Sequence, residues 1–488
     1  MSAAAGAEVM LVNPHYARRH GGGIVPPVGL CYLAAALQAS GVSVQILDLA
    51  AEHPEHLPGQ REAPLRTLAR ELNRRRPQIV GIGPLVTASL KPAADIASLC
   101  REQSEARIVL GGPLCAVPGA AATLDGFIDC DLLIAGDGER PIVQMAAGET
   151  PAAGTPPGGP DPLVWREPNL DALEIPAREL LDADGYAASL RRGASGGRMT
   201  SAFLSRGCPY SCSFCAAPLS SGKQVRRFSM PRVTRELDAC AALGYQDIVF
   251  YDDCLFVRSP KLDTRVEEFT EAIASSSWRG SYQLELRCDA VTAMSERTLS
   301  ALAGSGCRQV NMGIEKGHVA ALDAIRKRLT PEIARNATER LVQAGIRVAG
   351  TFILGGPGET REDIELTVAF ATSLDLDLAH FNPLALYPGT ALYEQAFPEA
   401  DWLGLCLDDE LAPFGDILWR SPELPIEAIL ESVKVAYEQF YTPERLARVT
   451  GRLPESERGA VSEAYARLRT ERPHSWDADR AGSAELTR

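Results

Sequence analysis

The sequence predicts an α/β protein made of two consecutive units of different architecture and a helical C-terminal region. Three observations support this. Short apolar runs alternate with helix-length amphipathic stretches from residue 8 to about 390; a Pro/Gly-rich run interrupts them at 149–160; after 393 the pattern turns helical. With 488 residues, 45% hydrophobic and 23% charged, the chain is long enough for two or three domains with sizeable cores.

The first unit, 1–148, opens with the strand-like EVMLV (8–12), the helical GLCYLAAALQASG and a second strand in VSVQILD. QIVGIG (78–83), RIVLGG (107–112) and DLLIAG (131–136) follow, each ending at glycine after a helix-length segment. This spacing predicts a five-stranded, doubly wound, Rossmann-like domain. Such sheets bind ligands outside the carboxyl ends of their strands, which designates the loops 13–27, 84–89, 111–118 and 136–139.

ETPAAGTPPGGP (149–160) has no periodicity and reads as a linker, within a connecting segment spanning 149–195. Over 196–392, TSAFLS, DIVFY, YQLELR, RQVNMG, RVAGTFIL and LAHFN alternate with helical segments, and six βα units fit a partial (β/α)6 barrel. Residues 393–488 form a mainly helical region, with IEAILESVKVAYEQFY as its clearest helix and a possible lid, and a polar tail.

A net charge of −14 argues against a broad basic surface for nucleic acid and favours a small-molecule substrate. No leader or apolar span of ~18 residues is visible, so the expectation is a cytoplasmic protein without a membrane partner. Of twelve cysteines, nine are scattered and read as core residues rather than a disulfide framework.

The other three, Cys208, Cys212 and Cys215, lie in SRGCPYSCSFCAAP, directly after a strand. Three thiolates this close can grip one face of a 4Fe-4S cube and leave one iron open. A structural zinc site would need a second pair of ligands, and no second CxxC or HxxxH is present. A purely electron-transferring cluster would hardly need six βα units around it.

At this motif the chain resembles the radical S-adenosylmethionine (SAM) superfamily, with Phe214 before the third cysteine. The resemblance continues through FYDDCLF (250–256), LELRCDAV (284–291), MGIEKG (312–317) and FILGGPGET (352–360) to LYPGT (386–390). It implies a cluster that cleaves SAM to a 5′-deoxyadenosyl radical. It further implies that Phe214 lines the SAM site, that Asp252 or Asp253 holds the SAM ammonium, and that Arg287 pairs with its carboxylate. Glu315 would bind the ribose, and Gly355 and Gly356 would let backbone approach the adenine. A reductant such as flavodoxin or ferredoxin is implied as partner.

The first unit resembles the cobalamin-binding domain of one radical SAM subclass, through LVNP (11–14), PPVGLCYLAAALQASG (26–41), VLGGP (109–113) and AGDGERP (135–141). No DxHxxG motif is present, which argues against a histidine ligand of the mutase type. Thr87, Ser89, Gly111, Gly112 and Gly136 are the candidate corrin contacts, and His15 and His20 flank the first loop.

The resemblance favours cobalamin-dependent methylation of an unactivated carbon in secondary metabolism. The alternative is cobalamin-independent dehydration, deoxygenation, epimerisation or cyclisation, for example of an aminoglycoside diol. That would need a proton-transfer group, for which Cys254, Cys288, Tyr251 and His380 are candidates. A tRNA methylthiotransferase is disfavoured by the spacing of Cys31, Cys100, Cys115 and Cys130 and by the acidic tail. A non-catalytic iron-sulfur sensor is the reading from a different class.

Overall fold

A computed structural model describes residues 8–15, 26–53, 62–151, 153–183, 186, 197–398, 400–412, 415–453 and 455–470. The expected polar tail beyond 470 and His20 lie outside these residues.

The N-terminal strands are β1 (Val9–Asn13), β2 (Val44–Asp48), β3 (Ile79–Ile82), β4 (Arg107–Gly111), β5 (Leu132–Ile134) and β6 (Gly154–Thr155), in the sheet order β2-β1-β3-β4-β5-β6. The first five are parallel. Alternate residues feed two separate cores. Val9, Leu11, Ile79 and Val109 pack with the helix Val28–Ala39, whereas Met10, Val12, Val80 and Ile108 pack with Glu62–Arg75 and Leu90–Gln103. Helices on both faces make the unit doubly wound, as the near-continuous apolar strands require.

The expected linker departs from its reading. Gly154 and Thr155 form β6 and pair antiparallel with Ile134 and Leu133. Trp165 bridges to Gly136, and Arg178 is buried, donating to Glu236 Oε1 at 2.5 Å. The segment is a packed tie because the Trp165 backbone pairs with the first unit and the Arg178 guanidinium bonds into the second.

In the second unit β7 (Met199–Ala202) is followed by the short pair β8 (Ser205–Arg206) and β9 (Arg226–Arg227), then β10 (Asp247–Phe250), β11 (Ser281–Leu286), β12 (Cys307–Glu315), β13 (Arg347–Leu354) and β14 (Leu378–Pro383). Six of these form an all-parallel sheet ordered β14-β13-β12-β11-β10-β7. One large core joins Ile248, Leu284, Val310, Phe352 and Phe381 to the crossover helices. Those helices line one face, leaving the other as a concave lumen, as in a barrel segment.

The helix Ile426–Phe440 packs along β14. Tyr441 Oη accepts from Ala379 N at 3.0 Å and donates to Ala379 O at 2.7 Å, while Tyr437 Oη accepts from Phe381 N at 3.3 Å. The helix therefore seals the sheet edge. A further pair, β15 (Ala385–Leu386) with β16 (Ile417–Leu418), joins the barrel end to the first unit, because Leu386 and Ile417 share a core with Leu85, Leu114 and Val117.

Candidate active site

The cysteine loop leaves β8, where Arg206 is fastened to the first unit by Asp137 at 2.8 Å and Glu139 at 2.6 Å. Burial alone would raise the Asp137 carboxyl, but Arg206 and Arg226 outweigh it and hold the group below its ordinary value. The loop's middle is anchored by Ser213 N donating to Ile325 O at 3.0 Å and Leu392 N donating to Ser213 O at 2.9 Å.

Cys208, Cys212 and Cys215 are half-buried, whereas the other nine cysteines are buried. The Cys254 thiol beside Cys208 holds the Cys208 thiol down at about 7, while the same interaction and burial push Cys254 itself up. Burial pushes Cys215 up to about 11. Among the described residues no three His, Cys, Asp or Glu side chains converge on a single ion. A cube takes one thiolate per iron and does not require such convergence.

Around the loop stand Tyr210, Arg287, Glu315 and Lys327. The Arg287 guanidinium carbon lies 3.7 Å from the Tyr210 ring centroid, with Nε bonded to Asp289 at 2.9 Å and Nη2 to the Lys327 carbonyl at 3.1 Å. Glu315 takes a left-handed backbone (φ 70°) at the end of β12 and pairs with Lys327 at 2.7 Å. Gly313 makes room for that pair, since a Cβ there would crowd both side chains. Lys327 Nζ also sits 5.9 Å from the Phe214 ring. Phe214 packs against the core shared with the first unit.

Several expected site residues have other partners. Asp252 is buried and accepts from Leu204 N at 3.1 Å and Ser205 Oγ at 2.6 Å, and burial pushes its carboxyl up to about 7. Asp253 accepts from Gly207 N at 3.0 Å. These acids brace the entry to the cysteine loop. Cys288 is fully buried in the barrel core, and burial pushes its thiol up to about 12. Tyr251 is 41% exposed. His380 shares with Thr351 the lumen face of the sheet. The turn at Gly355 (φ 81°) places its carbonyl 2.9 Å from Lys316 Nζ, and Gly356 adjoins Glu359, the Lys316 ion partner.

In the first unit, Thr87 donates to Asp416, and Ser89 Oγ accepts from Val86 N at 2.9 Å and bonds to Pro84 O at 3.2 Å. Both are buried and engaged within the protein. Gly112 and Gly136 are demanded by close approach, because a Cβ would strike the Leu85 or Trp165 backbone respectively. Gly111 has open space where a Cβ would sit. His15 is buried just past β1. The segment Pro113–Ala116 packs against Ala217–Ser220, so the carboxyl edge of the first sheet adjoins the chain just after Cys215.

Comparison with known proteins bears directly on this juxtaposition. The description "Radical SAM superfamily" matches residues 203–371, and "B12 binding domain" matches 15–146. The chain is a radical SAM enzyme with a B12-binding domain. An uncharacterized methyltransferase of Pyrococcus horikoshii is 29% identical over 435 residues, 85% of this chain and 88% of that protein. The hopanoid C-3 methylase of Methylococcus capsulatus is 27% identical over 75% of this chain and 67% of its own length. The fold matches that of the cobalamin-dependent SAM radical enzyme OxsB, solved with aqua-cobalamin and SAM, at a TM-score of 0.68 and 15% identity, covering 96% of this chain and 72% of that one.

A radical SAM domain calls for a 4Fe-4S cluster and SAM, and a B12-binding domain for cobalamin. The three half-buried thiols fit the cluster as a donor set. The open space at Gly111, on the edge that adjoins the cysteine loop, fits a corrin seated by shape and backbone. In this radical SAM enzyme, sequence reasoning overlooked Tyr210, Lys327 and Glu285. Glu285 had a visible signal, being one of the polar residues that alternate with apolar ones in YQLELR.

Among the described residues no helix is long and apolar enough to cross a membrane.

Proposed function

We propose that this radical SAM enzyme is a cobalamin-dependent methyltransferase acting on an unactivated carbon of a small molecule in secondary metabolism. The carrying observation is the methyltransferase relative aligned over 85% of the chain, a span too long to lie within either matched domain alone. The methylase relative over 75% of the chain supports the same chemistry. When bound, the cluster and SAM supply the 5′-deoxyadenosyl radical and cobalamin supplies the methyl group.

The chain's own residues set the geometry for this. Cys208, Cys212 and Cys215 hold the cluster, with Cys254 beside Cys208. Arg287, steadied on Tyr210, offers its guanidinium to the SAM carboxylate, and the Glu315–Lys327 pair meets the polar part of the nucleoside. The Gly355–Gly356 turn lets backbone approach the adenine. The buried ties between Arg206, Asp137 and Glu139 fix the corrin edge over the barrel mouth, which keeps the reacting groups in register and excludes water. The reductant is a flavodoxin- or ferredoxin-type protein, and the setting is cytoplasmic. The units run over 1–148, 149–195, 196–392 and 393–488.

The test is anaerobic reconstitution with iron, sulfide and hydroxocobalamin, followed by product analysis. Stoichiometric corrin and formation of both S-adenosylhomocysteine and 5′-deoxyadenosine are expected. Turnover that yields 5′-deoxyadenosine alone, without retained corrin, would replace this reading with the dehydration or epimerisation class.

A further inference from the structure

Strand β11 separates two environments. Tyr282, Leu284 and Leu286 are buried in the helix-covered core, while Gln283 and Glu285 occupy the alternate, half-buried positions on the lumen face. Arg287 follows Glu285 by one period of the strand toward the mouth. Asn311 of β12 is registered beside Glu285, and its side-chain amide donates to Glu285 Oε1 at 2.7 Å. Gln309 Nε2 donates to Asn311 Oδ1 at 2.7 Å and to Gln283 Oε1 at 3.3 Å. The network runs one way and ends on the Glu285 carboxylate.

Asn311 is the one hydrogen-bond partner of that carboxylate among the described residues. Neither cation at the mouth pairs with Glu285: Lys327 bonds to Glu315 at 2.7 Å and Arg287 to Asp289 at 2.9 Å. Burial, with Glu315 adding to it, pushes the Glu285 carboxyl up to about 7. A carboxylate with one neutral donor in such a lumen is costly unless a ligand completes it. Tyr251 lies one step past the registered pair Phe250–Leu284, which brings it beside Glu285, and the residue is 41% exposed. An aromatic face next to a carboxylate is a pairing that suits an organic cation.

The geometry points to Glu285 and Tyr251 as the recognition site for a cationic group of the substrate, which makes the substrate an amine-bearing small molecule. This deepens the proposed activity and rests on its placement of the reaction in this lumen. Asn311 orients the Glu285 carboxylate, and the amine end of the substrate seats below Arg287 while the carbon to be modified faces the mouth.

The test uses reconstituted holoenzyme saturated with SAM and kept unreduced, so that the SAM ammonium already has its place and nothing turns over. Fluorine NMR follows the binding of para-fluorobenzylammonium and of para-fluorobenzyl alcohol. A charge-assisted contact worth about 1.4 kcal/mol makes the ammonium bind roughly tenfold more tightly than the alcohol. Glu285→Gln, which keeps the acceptor for Asn311, abolishes the difference, and Tyr251→Leu reduces it. Melting temperatures recorded alongside show that both variants are folded. Equal broadening of the two probes, no broadening of either, or an ammonium signal unchanged in Glu285→Gln overturns the proposal. Failure of methyl transfer shows instead as missing S-adenosylhomocysteine and leaves probe binding as it is, so the two failures are separable.

Discussion

The guanidinium of Arg287 lies over the ring of Tyr210, 3.7 Å from its centroid, and so ties the end of β11 to the cysteine loop. Its Nε and Nη2 are engaged by Asp289 and the Lys327 carbonyl, which fixes the plane of the group. A lysine at this position keeps the charge but loses both the stacking and the planar fork. Arg287→Lys is expected to weaken SAM binding about 10- to 100-fold, or about 1.4–2.8 kcal/mol. Iron and sulfide content should stay at the wild-type level. Equilibrium dialysis with labelled SAM on the reconstituted protein reads the first, and metal analysis the second.

Replacing Cys208, Cys212 and Cys215 together with alanine should remove the cluster's visible absorbance and reductive SAM cleavage. The apoprotein should keep its stability within roughly 0.5 kcal/mol, because these side chains lie in a half-buried loop outside the cores. The same replacement at buried Cys115 or Cys240 removes core volume and should lower the melting temperature without affecting iron content.

Tyr441 closes the exposed edge of β14 by bonding to both the N–H and the carbonyl of Ala379. Tyr441→Phe leaves both groups buried and unpaired, at a cost of about 1–3 kcal/mol. Urea denaturation should show a lower midpoint with an unchanged slope, and amide exchange should accelerate at Ala379. An unchanged midpoint would mean that water or a neighbouring group replaces the hydroxyl.

The six barrel strands were legible because each is an apolar run bounded by turn residues, and the cysteine triplet was legible because its spacing is local. β6 was not, since a two-residue pairing at Gly154–Thr155 leaves no period to detect in a Pro/Gly-rich run. The roles of Asp252 and Asp253 depend on which backbone N–H groups their carboxylates meet, and that is decided by the β7–β8 corner. The partners of Thr87 and Ser89 were hidden for a related reason: they include Asp416, 329 positions away from Thr87. Lys327 lies in a short connection without periodicity, and only the fold brings it to Glu315.

Glu285 also predicts a pH dependence. Its folded value of about 7 lies above the ordinary 4.5, chiefly through burial. Below the unfolded value, at about pH 4, the group is protonated in both states and costs the fold nothing. Between about pH 4 and 7 the unfolded chain releases the proton while the folded one retains it, so stability falls as pH rises. Above about 7 the folded protein carries the charge and the loss is complete. Glu285→Gln removes this titration and keeps the bond to Asn311. Its melting temperature without ligand should match wild type near pH 4, rise above it through pH 5–7, and hold a constant excess above that. With para-fluorobenzylammonium present, the wild type should recover part of the difference and the variant should not shift, because only the carboxylate gains a partner. An excess that is the same at every pH would mean that the substitution acts through packing and not through the charge.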